Sequence, residues 1–99
     1  MPYKIVVKPL ASRKIWYFYR NVALKYPHTF AEDDLVRNVK SAVRPMRLIE
    51  SRLLRRAPIL DRWKGKHMAH SGNWYYAYTI DGDTITVHDA CHQQNMHND

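Results

Sequence analysis

The clearest hydrophobic pattern in the chain lies in its last third. From Trp74 to Ile80, large apolar residues alternate with a second set, and after Asp81-Gly82 another β-rich run extends from Thr84 to Cys91. Two such runs joined by Asp-Gly predict a β-hairpin, because glycine adopts positive φ without a steric cost. A further strand beginning near Lys64 would complete a three-stranded antiparallel platform.

Strand alternation assigns side chains to the two faces of this platform. The face that we expect to meet the core carries Trp74, Tyr76, Tyr78, Ile80, Ile85 and Val87, with Cys91 in the same phase. The other face, which we expect to be open, polar and titratable, carries Tyr75, Ala77, Thr79, Thr84, Thr86, His88, Ala90 and His92. Alternation therefore predicts one tyrosine and two histidines on a shared exposed surface.

The first two elements of the chain are a strand and a helix. Apolar and basic residues alternate from Tyr3 to Pro9, which predicts a short strand that pairs with the later sheet. Ser12 then offers an N-cap for an amphipathic helix, and Pro27 ends it.

The second helix is predicted to be long. Thr29 and Glu32 have capping-box spacing, and the next two aspartates add negative charge to the first turn. Its apolar seam alternates spacings of four and three: Leu35, Val39, Ala42, Met46, Ile49 and Leu53. Pro45 predicts either a kink or a split of the helix in two, of which we favour the kink. Pro58 ends the helical region and begins a loop to the platform. The polar side of this region carries Arg37, Lys40, Arg44, Arg47, Arg52 and Arg55.

Together these elements predict one α+β domain spanning residues 1–99. Its order is an N-terminal strand, a helical hairpin and a three-stranded antiparallel meander, with the helices on one sheet face. No apolar run approaches the length of a membrane span, and the start of the chain lacks the apolar region of a signal peptide. With Cys91 as its single cysteine, the chain cannot form an internal disulfide, so we expect a cytoplasmic protein.

Charge is unevenly distributed along the chain. The formal net charge is +7, residues 1–26 carry basic side chains and no acidic ones, and no lysine or arginine follows Met68. This pattern favours a polyanion or an acidic protein partner. The alternative is a solvated basic helix surface without a partner.

The histidines and the cysteine do not predict a metal site. His67 and His70 are three residues apart on an extended run, so they point to opposite faces, and Cys91 is in phase with the core. We expect neither a metal nor another cofactor. Tyr75 is the large aromatic residue on the face opposite the core set; it could stack a nucleobase or support a cross-strand pair.

The segments PILDRWKG and GNWYYAYTIDGDTITVHDACHQQN resemble the C-terminal half of RelE/ParE superfamily toxins, and the order of predicted elements is similar along nearly the whole chain. These toxins belong to two-gene toxin–antitoxin modules. Many cleave messenger RNA in the ribosomal decoding site, the ParE branch poisons DNA gyrase, and a cognate antitoxin wraps the toxin. The resemblance therefore implies a type II toxin, either a monomer or a dimer within a toxin–antitoxin complex.

The resemblance also implies where a ribonuclease site would lie. Ribonuclease members commonly have arginine at the position that Tyr75 occupies in this chain, so this chain departs from the family pattern there. The C-terminal acid–base positions of those members fall near His92. On this basis His88 and His92 are candidate base and acid, with Lys66 or Lys64 as the stabiliser of charge. The full candidate set is His88, His92, Tyr75 and Lys66 for catalysis, and Arg55, Arg56, Arg62, Lys64 and His67 for RNA binding.

Three functions remain open from the sequence. The first is a metal-independent, ribosome-dependent messenger RNA endoribonuclease that inhibits translation. The second is a gyrase poison that acts by binding, favoured by the arginine-rich helical side. The third is a basic nucleic-acid-binding module without toxicity. The partners that follow are a cognate antitoxin and either messenger RNA with the ribosome or gyrase, and no membrane.

Overall fold

A four-stranded mixed sheet forms the centre of the structure, a computed structural model in which residues 3–97 are described. The strands are β1 (Lys4–Val7), β2 (His67–Ser71), β3 (Trp74–Asp81) and β4 (Thr84–His92). They lie in the order β1-β4-β3-β2, with β1 parallel to β4 and the other neighbours antiparallel. With two helices beside this sheet, the predicted α+β class is confirmed.

β4 has two halves with different neighbours. Its first half, residues 84–87, lies between β1 and β3, because Lys4 pairs with Thr84 and Val7 with Val87. Its second half, residues 88–92, continues beyond the end of β1 and pairs with β3 alone among the described strands.

α1 (Pro9–Lys25) begins earlier than the predicted cap at Ser12. Proline suits the first turn of a helix, because the N–H that it lacks has no helical acceptor there and its φ is already near the helical value. The predicted end before Pro27 is confirmed, and the N–H of Tyr26 closes the last turn on the carbonyl of Val22 at 2.9 Å.

α2 (Glu32–Val43) has Ala31 as its N-cap, two residues after the predicted Thr29. The alanine side chain has no acceptor, so it cannot cap an N–H group of the first turn. Instead, the carboxylate of Asp34 in that turn accepts the backbone N–H of Ala31 at 3.0 Å. The predicted acidic first turn is present, and its charge complements the positive end of the helix dipole.

The prediction that the second helix continues through a kink is wrong. α2 ends at Val43, and Arg44–Leu48 form a 3₁₀ helix with Pro45 in its first turn. Proline lacks the N–H that would bond to the preceding turn and its ring clashes with that carbonyl, so the helix tightens and ends. Ile49 and Leu53 of the predicted seam then pair with each other as an isolated bridge outside any helix.

The main core lies between the helices and one face of the sheet. α1 packs against α2 and against β4. The buried residues of this core are Ala11, Ile15, Val39, Ala42, Met46, Ile49, Ala69, Trp74, Tyr76, Tyr78, Ile85, Val87 and Ala90. Its three polar aromatic groups are satisfied. The Tyr76 hydroxyl donates to the Ala42 carbonyl, Trp74 Nε1 donates to the Tyr19 hydroxyl at 3.0 Å, and the Tyr78 hydroxyl donates to the Glu50 carboxylate.

The second face of the sheet is not open along its length, contrary to the prediction. The segment before β2 folds back over it, including a 3₁₀ helix at Asp61–Trp63. Leu60 and Trp63 from this segment form a second core with Met68, Ala77 and Cys91 of the sheet. This second core covers the middle of the face.

A β-bulge interrupts β4 between its two halves. Tyr78 of β3 pairs with Val87, whereas its neighbour Ala77 pairs with Asp89. His88 is therefore an extra residue that opposes no partner of its own. Regular alternation resumes after it, shifted by one residue relative to the first half.

The bulge corrects the predicted faces of three residues. Ala90 packs in the main core and Cys91 in the second core, the reverse of the prediction. His92 lies on the helix side, where its ring stacks on Phe18 with centroids 4.0 Å apart. The predicted grouping of His92 with the residues of the opposite face is therefore wrong.

Candidate functional site

A groove of about 260 Å³ lies between α1 and the second half of β4. We call it the α1–β4 groove. α1 contributes side chains at spacings of three and four, which share one side of a helix. The polar lining consists of Lys14, Tyr17 and Asn21 of α1, Arg62 of the segment before β2, His92 of β4, and Asn95.

Asp89 anchors the two cationic side chains of the groove. Its carboxylate is buried, with 7% of the residue exposed. Oδ1 lies 2.9 Å from Lys14 Nζ and accepts the N–H of Ala90 at 2.8 Å. Oδ2 accepts Nε1–H of Trp63 at 2.8 Å and lies 3.7 Å from Arg62 Nε. This one carboxylate therefore ties α1, the segment before β2 and β4 together.

The groove keeps a positive surplus around this carboxylate. Lys14 and Arg62 supply two positive charges against the single negative charge of Asp89. Their side chains are 37% and 49% exposed, so both still reach solvent. Fixed cations at the rim of a concave surface favour an anionic ligand such as a phosphate.

His92 is held in the groove as a neutral imidazole. Its ring stacks on Phe18 and meets Trp74 edge-on with centroids 5.4 Å apart. Burial lowers the pKa of His92 below its ordinary value. Nδ1 accepts the N–H of Gln94 at 3.2 Å, which leaves the proton of the neutral ring on Nε2. His92 therefore offers a hydrogen-bond donor rather than a proton acceptor at Nε2.

Tyr17 and two amides complete the polar lining. Tyr17 is 52% exposed, so its ring is available for stacking against a planar group. Asn21 and Asn95 each add one amide, with donors and an acceptor. The groove thus combines cationic donors, neutral donors and an aromatic surface, a set that suits the phosphate and the base of a nucleotide.

The predicted catalytic residues His88 and Lys66 lie near each other, outside this groove. His88 Nε2 is 2.7 Å from Thr79 Oγ1. Burial lowers the pKa of His88, and the positive charges of Lys66 and Lys8 lower it further. These groups occupy the bulge end of the second face.

The structure does not bring Tyr75 and His92 to this pair. Tyr75 packs against the second core, and its ring lies 4.6 Å from that of His70. Along β3, Tyr75 is four residues from the Thr79 partner of His88, a distance of about 13 Å. His92 is on the helix side, as described above. The four predicted catalytic side chains therefore do not form one site.

Among the predicted RNA-binding residues, Arg62 lines the α1–β4 groove. Arg56 lies at the far edge of the sheet, where its backbone exchanges two hydrogen bonds with Met68, at 2.8 and 3.0 Å. Lys64 follows the second 3₁₀ helix and donates its N–H to the Asp61 carbonyl at 3.1 Å. The last two residues do not line the groove.

Arg55 and His67 belong to a separate cluster around Glu50. The Glu50 carboxylate accepts two hydrogen bonds from Arg55, both at 2.9 Å, and one from the Tyr78 hydroxyl. The Arg55 hydrogen bonds hold the pKa of Glu50 below its ordinary value. The His67 ring lies 5.5 Å from that of Tyr78. The Glu50 backbone adopts a φ of +70° in a turn, and the hydrogen bonds of its carboxylate to Arg55 and Tyr78 hold that turn in place. We therefore assign Glu50 a structural role.

The candidate residues chosen from the sequence did not include Lys14, Tyr17 or Asp89. The first two had a detectable signal, because with Asn21 they form a polar row at spacings of three and four beside the apolar side of α1. Asp89 also carried a signal. Unbroken alternation from Ile85 would place its carboxylate in the core, which is a reason to expect a bulge before it.

No helix within residues 3–97 is both long enough and apolar enough to cross a membrane. In the same range, no three histidine, cysteine, aspartate or glutamate side chains are arranged to share a metal ion. Comparisons of the chain with protein-family models, curated proteins and solved structures found no match. The resemblance to RelE/ParE toxins therefore stays a prediction.

Proposed function

We propose that the protein is a cytoplasmic toxin of a type II toxin–antitoxin system that acts on messenger RNA, with the α1–β4 groove as its RNA-binding and catalytic site. The toxin part of this proposal rests on the sequence resemblance. The RNA part rests on one observation: a buried carboxylate holds two cations beside a neutral histidine and an exposed tyrosine in one groove.

The contents of the groove favour a specific division of labour. RNA is cleaved without a metal when a ribose 2′-oxygen attacks the neighbouring phosphorus and the bond to the 5′-oxygen breaks. Negative charge develops on the phosphate oxygens in that transition state. Lys14, Arg62 and Nε2–H of His92 are donors suited to stabilise this charge. Tyr17 stacks a neighbouring base.

This site contains donors but no free carboxylate and no imidazole nitrogen that is ready to accept a proton. Asp89 is occupied by its four partners, and Nδ1 of His92 is occupied by Gln94. Such a site works best on RNA whose 2′-hydroxyl is already oriented, which is why we propose ribosome-bound messenger RNA as the substrate. The 2′-hydroxyl proton leaves to solvent, and the departing 5′-oxygen takes up a proton from solvent.

The test compares two histidines of β4, one at the bulge and one beyond it. Replacing His92 with alanine should reduce messenger cleavage on translating ribosomes by about 10² to 10³, the usual cost of removing one transition-state donor. His88→Ala is the matched control, since it removes a partly buried histidine of the same strand outside the groove, and we expect less than about a tenfold change. Growth arrest on expression should follow the same order.

The opposite ranking, with His88→Ala inactive and His92→Ala fully active, would reject the groove as the active site. Growth arrest that is accompanied by DNA damage, with intact messenger RNA, would instead favour the gyrase-poison alternative. Normal growth during verified expression of folded protein would contradict the toxin proposal itself.

A further inference from the structure

The outer edge of β1 is an unpaired strand edge. β1 pairs with β4 on one side, where the amides of Lys4 and Lys8 donate to the carbonyls of Asp83 and Val87, both at 2.8 Å. No other described strand lies beside it. Because backbone groups alternate in direction along a strand, the N–H and C=O groups of Ile5 point away from β4.

The opposite edge of the sheet differs, because it is partly closed. There the backbone of Arg56 exchanges hydrogen bonds with Met68 of β2. Among the described residues, the β1 edge is therefore the less covered of the two edges of the sheet.

A cavity with both apolar and polar lining lies directly beside the β1 edge on the helix side. Its volume is about 450 Å³, and it is lined by Tyr3, Ile5, Val7, Val43, Met46 and Arg47. A second cavity of about 370 Å³ shares Val43 and Arg47 with it and continues over the end of α2. Side chains of a strand added to β1 would alternate between the cavity, where they meet Ile5, Val7 and Met46, and the opposite side of the sheet.

The surroundings of this edge are cationic on both sides. Lys4 and Lys8 lie on β1 and directly after it, while Lys40, Arg44 and Arg47 line the second cavity. None of these five side chains forms an ion pair with another residue of the range 3–97. Like charges oppose a second copy of this chain at the same edge and favour an acidic partner.

We propose that an extended segment of a partner protein, with alternating apolar and acidic side chains, binds by adding a strand to the outer edge of β1. Its backbone pairs with Ile5 and Val7, its apolar side chains enter the cavity beside Met46, and its acidic side chains meet the surrounding cations. No residue of this surface belongs to the α1–β4 groove, so the proposal stands or falls separately from the ribonuclease activity.

A labelled ten-residue peptide of alternating valine and glutamate tests the proposal by fluorescence anisotropy. We expect it to bind at least about tenfold more tightly than a peptide with the same residues in two blocks, since the blocks cannot place all valines towards the cavity and all glutamates on the other side. Two further peptides carry N-methyl groups on the valine amides or on the glutamate amides. Only one of them should lose binding, because an added strand pairs along one edge.

Charge reversal in the protein locates the surface. Arg44→Glu with Arg47→Glu should weaken binding of the alternating peptide by at least about tenfold, whereas the same reversal at the exposed Arg13 and Arg20 of α1 should change it less than threefold. Equal binding of both N-methylated peptides would overturn strand addition. Displacement of the peptide by a short RNA of equal charge, or dimerisation of the protein through β1, would assign the edge to another occupant and overturn the proposal.

Discussion

The two halves of β4 belong to one strand but serve different purposes. Residues 84–87 lie between two strands, and Ile85 and Val87 are fully buried in the main core. Residues 88–92 begin with the bulge residue His88, have one strand neighbour among residues 3–97, and border the α1–β4 groove. Polar and titratable side chains are concentrated where regular pairing ends, because a free strand side and a bulge leave room to aim them.

The difference between the halves has an energetic side. In the first half each inward side chain is apolar, so its burial contributes to stability directly. In the second half the buried Asp89 must be matched by Lys14, Arg62 and Trp63 before its burial is tolerated. The first half is therefore expected to be sensitive to changes of register, and the second to changes of charge.

Single-residue deletions before the bulge and at the bulge give the largest expected contrast. Deleting Thr86 shifts Val87 to the second face and brings His88 into the core position, which should lower the free energy of unfolding by about 3 to 5 kcal/mol. Deleting His88 removes only the extra residue and keeps the pairing of Ala77 with Asp89, so we expect a loss of about 1 kcal/mol from its hydrogen bond to Thr79.

Urea denaturation followed by tryptophan fluorescence measures both deletions. Equal losses would mean that His88 is as important to the register as any other residue of β4, which would contradict its assignment as the extra residue of a bulge. A stable protein without Thr86 would show that the strand can slip without cost.

The same contrast explains which parts of the fold were predictable. Alternation predicted the faces of β3 and of the first half of β4, because a strictly two-residue period holds there. An inserted residue has no period of its own, so the faces after His88 were inverted. The early end of α2 was missed for a related reason: the apolar spacing continues past Pro45 although the backbone hydrogen bonds do not.

The candidate site was less predictable than the fold. His92 and Arg62 were identified from residue type and from the resemblance, but their partners come from α1, whose polar row gives no indication of what it faces. The surface that this polar row faces depends on where β1 ends, since α1 lies against the part of β4 that β1 leaves uncovered. The face of His92 in turn depends on the bulge.

Removing the buried charge of the second half should have an intermediate effect. Asp89→Ala leaves Trp63 Nε1–H without its acceptor and releases Lys14, and we expect the unfolding free energy to fall by about 2 to 3 kcal/mol. Asp83→Ala is the control, because it removes an exposed aspartate at the other end of the strand and should cost less than about 0.5 kcal/mol. Indistinguishable urea midpoints for the two variants would show that Asp89 does not hold the groove together.

The smallest expected effect is the pH dependence of stability, which should come from the second half alone. Burial lowers the pKa values of both His88 and His92 from the ordinary 6.5. As pH falls through 6.5, the unfolded chain takes up protons that the folded chain does not yet bind, so the free energy of unfolding must decrease. It levels off once the pH is below the folded-state pKa values. The urea midpoint should therefore decrease when the pH is lowered from 7.5 to 5.5. Glu50 does not contribute in this range, because its ordinary pKa of 4.5 lies below it and the fold lowers its pKa further. Replacing both histidines with asparagine should flatten this dependence, and an unchanged slope in that double variant would place the responsible groups elsewhere in the chain.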